Sequence, residues 1–374
     1  MAGSSFGTIF RITTWGESHG KGIGVVVDGC PAGLALTEED IQIYLDRRKP
    51  GQSKYTTMRK ESDRVEILSG VFEGRTTGTP ISMIVYNEDQ RSKDYSEIAS
   101  YYRPGHADYT FDQKYGFRDY RGGGRSSGRE TIARVAAGAI AAKVLSELGI
   151  TVCAYTSAIG DVSINETNVT LAERDNNPLC MPDQEAAQKA QALLDQKMQE
   201  KDSVGGIVEC VVDGVMPGIG ETVFDKLDAE LAKAIVSIGA VKGFEVGEGM
   251  AAAKLSGSED NDGFYQDETG HVLKHTNHAG GILGGMSDGS MIRIRAAFKA
   301  TPSIAATQQT MNREGDNIEI SIKGRHDPVI VPRAVVVVEA MTAITVLDAV
   351  LKSMTSRMDR IRHFFGKDSE ASDI

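Results

Sequence analysis

Residues 118–149, RDYRGGGRSSGRETIARVAAGAIAAKVLSELG, constrain the fold more than any other stretch of this 374-residue chain. Ile132, Val135, Ala136, Ala139, Ile140, Val144 and Leu148 recur at helical spacing, which predicts a helix over 129–148. Gly149 is a natural stop, and Ser127 with Glu130 three residues on fits a capping box, so Ser127 is the expected N-cap. Such a helix starts beside Arg125 and Arg129, just after Gly122, Gly123 and Gly124. Free N–H groups and the positive end of the dipole favour an anion there. Two guanidiniums add charge-assisted hydrogen bonds of about 1.5–3 kcal/mol each, and the glycines let backbone approach a ligand closely. The plainer alternative is a basic loop solvated at a helix start. An RGG-type nucleic-acid segment is disfavoured, because no repeat or aromatic interleaving accompanies it.

Strand and helix patterns alternate along the rest of the chain. Residues 37–48 read as a helix capped by Thr37, and 184–200 and 225–238 repeat the helical pattern. Residues 7–15 and 20–29 read as strands, DRVEILSGVFEG and PISMIVYN as a strand pair, and 205–213, 290–299 and 317–323 as short strands. Residues 87–125 are polar and turn-rich, and 257–276 read as an exposed excursion. The C-terminal RAVVVVEAMTAITVLDAVLKSM is a long apolar helix candidate whose Val run also reads as a strand. No Pro-, Gly- and Ser-rich linker or fixed-period repeat breaks the chain. The expectation is one large α/β unit over 1–366, with a disordered tail at 367–374.

The net charge of −11 argues against a broad nucleic-acid or acidic-membrane surface. Any anion site must be a local cluster of Arg and Lys, which suits a small ligand. Two more basic turns add to the one at 118–129: Arg47, Arg48, Lys49, Lys54 and Arg59 around Pro50-Gly51, and Arg325 with His326, Asp327 and Arg333 after a strand. Together they favour a substrate with several negative charges. Cys30, Cys153, Cys180 and Cys210 are scattered without a C-x-x-C, as in a reduced cytosolic protein. No His/Cys pattern has metal-ligand spacing, so no metal is expected. No transit or signal character and no membrane-length apolar run is read.

The stretch GESHG, 16–20, matches the G-x-S-x-G nucleophile elbow. The elbow requires a strand before its Ser and a helix after it. Here GKGIGVVVDG follows and reads as a second strand, so a serine hydrolase through Ser18 is disfavoured. His19 and His106 sit in Gly-flanked turns, and His278 opens the Gly-rich NHAGGILGG, a weak cofactor signal by itself.

TTWGESHG, LDRRKPGQSKYTT, RPGHADYT, DYRGGGRSSGRETIARVAAGAIA, AVKGFEVG, NHAGGILGGMSDG and KGRHDP together resemble the chorismate synthase family over about residues 7–350. Two departures stand out: Gly128 where Ala is usual, and Lys54 where Arg is common. The resemblance implies a β-α-β sandwich, usually a homotetramer. The implied reaction is 1,4-elimination of phosphate from 5-enolpyruvylshikimate 3-phosphate, with reduced FMN and no net redox change. It further implies substrate contacts at Arg48, Arg103, Ser127, Arg129 and Arg325. Implied FMN contacts are Arg125, Ser126, Ser127, Gly239, Ala240, Gly284, Lys299, Ala300, Thr301, Pro302, Ser303 and Arg325. His19 is implied as general acid on the departing phosphate, His106 as proton donor to the reduced flavin, and Asp327 as an aid to proton removal; the two His roles are interchangeable at this stage. An external reductant is expected to supply the flavin, since no reductase domain is visible. The rival classes are a serine hydrolase and a flavoprotein oxidoreductase that consumes NAD(P)H.

Overall fold

The structure, a computed structural model, describes residues 3–56, 61–88, 97–322 and 327–367. Arg59, Arg325, His326 and the tail beyond Lys367 lie outside the described residues.

Two antiparallel five-stranded sheets enclose a helical layer. The first has the order β1 (Ser5–Phe6), β2 (Arg11–Gly16), β3 (Gly22–Asp28), β7 (Ile81–Tyr86), β4 (Val65–Ile67). The second has the order β11 (Val241–Val246), β16 (Ile292–Phe298), β10 (Gly206–Asp213), β8 (Thr151–Ile159), β9 (Val162–Ser163). Small hairpins hang from this frame: β5 (Val71–Phe72) with β6 (Arg75–Thr76), β12 (Phe264–Gln266) with β13 (Val272–Lys274), β14 (Ile282–Leu283) with β15 (Met286–Ser287), and β17 (Gln308–Met311) with β18 (Asn317–Ile320). This is the β-α-β sandwich that the resemblance implies. Because the pairings among the described strands are antiparallel, it is an α+β fold.

The helices are α1 (Glu38–Arg48), α2 (Asp108–Tyr115), α3 (Thr131–Glu147), α4 (Gln184–Gln199), α5 (Leu227–Val236), the short α6 (Gly257–Asp260), α7 (Val331–Ser353) and α8 (Met358–Phe364). Helix α3 lies across β2, β3 and β7 on one side and against α7 on the other, while α7 covers β8 and β10. Both are buried on most faces, so neither has a clean polar side. The sequence reading of no membrane-length apolar run is corrected by α7, which is long and apolar enough to cross a membrane, but 89% of its most apolar window is buried inside this fold. Its Val run, ambiguous in sequence, is helical because it packs between α3 and the second sheet. Two carboxylates on it tie down the surroundings. Glu339 accepts from Arg47 at 2.6 and 3.0 Å, from Arg174 at 3.3 Å and from the Ala154 amide at 3.1 Å. Asp348 accepts from the amides of Thr8, Ile9 and Phe10.

Three local readings change. The 87–125 stretch holds α2 within its turns. Ser127 caps a one-turn 3-10 segment, Gly128–Glu130, instead of α3, and Glu130 turns to Thr14 and Arg134 rather than closing a capping box. The 257–276 excursion is largely exposed, yet Lys274 is buried within it between Asp262 at 3.1 Å and Asp288 at 2.7 Å. Thr37, by contrast, forms the expected cap on α1, reciprocated by Asp40.

The α3–α7 crossing depends on Gly138. A Cβ there would stand 2.3 Å from Ala340 Cβ and 2.5 Å from its Cα, so the helices touch backbone to backbone. Overpacking a fitted core typically costs about 1–3 kcal/mol and occasionally more. Gly138→Ala is therefore expected to lower unfolding free energy by about that much in urea titrations, despite its gain in helix propensity. A neutral or stabilised variant would show that the crossing has slack.

Candidate active site

The end of α1 delivers Arg48 into the interior, where its guanidinium pairs with Asp63; both side chains are buried. Arg129, in the 3-10 turn before α3, reaches the other Asp63 oxygen at 3.3 Å and Glu61 at 3.5 Å. Arg333, in the first turn of α7, pairs with Asp327 at 2.9 Å and donates to the Arg48 carbonyl at 3.3 Å. Burial lowers the Arg48 pKa to about 10, with the charges of Arg333 and Arg129 adding to the effect against the opposing pull of Asp63. Arg48 Nε and Arg129 Nη2 are buried with no hydrogen-bond partner among the described residues. Buried donors of this kind ordinarily have partners, and charged ones suit an anion. Asp63 itself sits at φ 46, outside the usual range for a non-glycine residue.

The turn between β2 and β3 carries Ser18 and His19. The Ser18 hydroxyl and His19 Nδ1 lie 3.0 Å apart. A second strand, not a helix, follows the turn, so the elbow geometry is absent. Gly122 packs on this imidazole: a Cβ there would stand 2.4 Å from His19 Nδ1. Arg125 donates to Gly16 O at 3.0 Å and to Thr14 Oγ1 at 2.6 Å, holding the glycine loop against β2. Asn87, one residue beyond β7, donates to Glu17 O at 3.0 Å and Gly20 O at 2.8 Å, while its Oδ1 accepts from Arg129 Nε at 3.0 Å.

A second group gathers at one end of the second sheet. Lys299–Ser303 follow β16, and the Lys299 amide donates to Ala240 O at 3.0 Å, which brings Gly239 and Ala240 alongside. Ala240 has φ 73, and Thr301 Oγ1 is buried with no partner among the described residues. Arg134, one turn into α3, donates to Ser237 at 2.6 Å, joining the start of α3 to this end. The two groups meet through backbone: Val204 N donates to Pro328 O at 2.9 Å, next to Asp327, and Ser203 Oγ donates to Thr301 O at 2.7 Å.

His106 joins the second group. Its Nδ1 lies 3.1 Å from Pro104 O and its Nε2 lies 2.9 Å from Ser303 Oγ. A carbonyl only accepts, so Nδ1 carries the proton and Nε2 accepts from the Ser303 hydroxyl. Burial and the charge of Arg103 push the His106 pKa below its usual 6.5. Lys299 Nζ donates to Gly105 O at 2.8 Å, bracing the same turn. Arg103 is engaged by Asp108 in a two-pronged pair at 2.8 Å each. Burial alone would raise the Asp108 pKa, but the Arg103 hydrogen bonds outweigh it and hold the carboxyl below its ordinary range.

The structure thus brings together His19, Arg48, Arg125, Ser127, Arg129 and Asp327 around one charge cluster, and Gly239, Ala240, Lys299, Thr301, Ser303 and His106 at the adjoining sheet end. Gly284 stands apart. Its hairpin precedes β16, on the far side of a strand of 7 residues, roughly 20 Å long. Asp63, Glu61 and Asn87 carry no local sequence signal and were not anticipated; the need of buried guanidiniums for counter-ions is what points to them. Of the two departures from the family pattern, Gly128 has no atom within 4 Å of a built Cβ, so Ala would fit. Lys54 is exposed and pairs with Asp195 at 2.8 Å.

Known proteins are similar to this chain over nearly its whole length. The family model for chorismate synthase matches residues 10–351. The chain belongs to the chorismate synthase family. It is 68% identical over 367 residues to the chorismate synthase of Agathobacter rectalis and 66% identical over 367 residues to that of Lachnospira eligens, in each case covering 98% of this chain and 100% of the relative. The chorismate synthase of Gloeothece citriformis is 55% identical over 353 residues, covering 94% of this chain and 98% of the relative. A crystal structure of chorismate synthase superimposes with a TM-score of 0.76 at 32% identity, covering 96% of this chain and 97% of that one. Membership makes the chain a carbon–oxygen lyase of the shikimate pathway, in a family that uses reduced FMN.

The state of His106 makes stability pH-dependent. Its folded pKa is depressed, so above about pH 6.5 both folded and unfolded imidazoles are neutral and no penalty applies. As pH falls through 6.5 the unfolded chain binds the proton first, and stability drops until the folded group also titrates. His106→Gln is expected to lose less stability than the parent between pH 7.5 and pH 5.5 in urea unfolding. Equal losses would show that His106 does not hold this position as a neutral ring.

Proposed function

We propose that this site binds 5-enolpyruvylshikimate 3-phosphate over reduced FMN and eliminates phosphate to form chorismate. The observation that carries the reading is the buried Arg48–Asp63–Arg129 cluster, with unpartnered donors, next to the His19 turn. The substrate carries a phosphate and two carboxylates. Arg48, Arg129, the Ser127 hydroxyl and Arg325 take these groups, and Arg103, held by Asp108, adds positive charge at the rim. The fit to FMN rests on the buried Thr301 hydroxyl, unpartnered among the described residues, the open backbone at Gly239 and the loop of Lys299, Ala300, Thr301, Pro302 and Ser303. Arg125, Ser126, Ser127, Ala240 and Arg325 complete that set. When bound, reduced FMN supplies an electron to the allylic system and regains it, leaving no net redox change.

The chain's own residues handle the protons and charge. His19 protonates the departing phosphate, since an imidazole both gives and takes a proton near neutral pH. The arginines offset the negative charge that builds on the leaving group. Asp327, oriented by Arg333, assists removal of the ring proton. His106 serves the flavin side of the pocket as the proton donor that the resemblance implies.

Gly284 is assigned to the flavin site of a second copy, in keeping with a homotetramer. Exposed Phe224, Met250, Phe364 and Phe365 provide apolar surface for assembly. An external reductant supplies the reduced flavin, and we place the reaction in the cytoplasm.

General acid catalysis typically contributes about 10²–10⁴-fold. His19→Ala is expected to lose phosphate release from the enolpyruvyl substrate by that order, and Ser18→Ala by far less. Equal severe losses, with a covalent adduct on Ser18, would restore the hydrolase reading.

A further inference from the structure

Asn87 joins the turn of the proposed acid to the proposed anion site through a single side chain. It follows β7, whose last residue, Tyr86, lies opposite Gly22 at the start of β3. The strand pairing therefore places Asn87 directly beside the turn that carries His19. Its amide nitrogen donates to Glu17 O and Gly20 O, the carbonyls that bracket Ser18 and His19. Its oxygen accepts from Arg129 Nε. The orientation of the amide is forced by chemistry: the NH₂ faces two carbonyls and the oxygen faces a guanidinium, and the flipped form would satisfy neither.

The flanking contacts reinforce the link. The Asn87 amide donates to Lys21 O at 3.1 Å, closing the turn from the other side. The Glu88 amide donates to Glu61 at 3.2 Å, and Glu61 is itself an ion-pair partner of Arg129 at 3.5 Å. Two successive residues thus tie the turn and the arginine into one unit. The Glu17–Gly20 turn and Arg129 are far apart in sequence, and this junction holds them in a common frame.

We propose that Asn87 is a positioning residue that aligns the His19 turn with the anion held by Arg129. The assignment rests on the reading of His19 as the acid. Asn87 touches neither phosphate nor ring in this role; it sets where the imidazole stands relative to the guanidinium. A displacement of about 1 Å at a reacting group can cost on the order of 10²-fold in rate.

The test is a double-mutant cycle on the full chain with pre-reduced FMN, measuring phosphate release from 5-enolpyruvylshikimate 3-phosphate. Asn87→Ala is expected to lower kcat by about 10- to 100-fold in the parent. In a His19→Ala background the same change is expected to cost less than about 3-fold, because there is no longer an acid to misplace. The same factor in both backgrounds overturns the coupling and leaves the role of His19 standing. Full activity in His19→Ala alone overturns the acid assignment and this inference with it. Asn87→Asp covers the case in which Asn87→Ala fails to fold. It keeps the acceptor for Arg129 but loses both donors to the turn, so kcat falls while KM changes by no more than a few-fold. A raised KM with unchanged kcat overturns the proposal.

Discussion

Asp63 is the counter-ion on which the interior of this site depends. Two guanidiniums, from the end of α1 and from the turn before α3, converge on one buried carboxylate. Unpaired buried charges are strongly unfavourable, and removing one partner of a buried pair typically costs about 3–5 kcal/mol. The pairing therefore holds α1, the Glu61–Asp63 segment and the start of α3 in one arrangement. It also keeps Arg48 and Arg129 ordered, with donors left over, before any anion arrives. Order of this kind reduces the entropy that binding must otherwise overcome.

The same principle recurs around the core. Glu339 on α7 collects Arg47 and Arg174, and Asp348 collects the amides near the N-terminus. Helix α7 thus acts as a central post, with one of its carboxylates binding the second sheet and the other the first. Gly138 lets α3 approach it at backbone contact. The site lies where the ends of these elements meet: the last turn of α1, the first turn of α7, the approach to α3, and the end of β16.

Much of this was legible in the sequence because it depends on local spacing. The Thr37 cap, the helix over 131–147, the strands after Gly205 and before Lys299, and the β2–β3 pair that excludes a nucleophile elbow all follow short-range rules. The family motifs carried the rest of the architecture. What escaped was set by contacts across the fold. The Val run of α7 fits either a strand or a helix until the layer that buries it is known. Ser127 and Glu130 have capping-box spacing, but Thr14 and Arg134 compete for the Glu130 carboxylate and win. Asp63 and Asn87 stand at the ends of stretches read as strands, where spacing assigns them no role, and their importance comes from residues 15 and 42 positions away. Arg103, a substrate contact implied by the resemblance, is engaged by Asp108 in the fold. Gly284, an implied FMN contact, precedes β16, whereas Lys299–Ser303 follow it.

The central claim is that this charge-balanced pocket performs an elimination that returns its flavin to the starting state. The most direct measurement is anaerobic: FMN is reduced once, excess 5-enolpyruvylshikimate 3-phosphate is added with the enzyme, and chorismate is counted per flavin. The account predicts many products per flavin, with the flavin still reduced at the end. A single product per flavin, with the flavin left oxidised, would contradict it and make the chain an oxidoreductase.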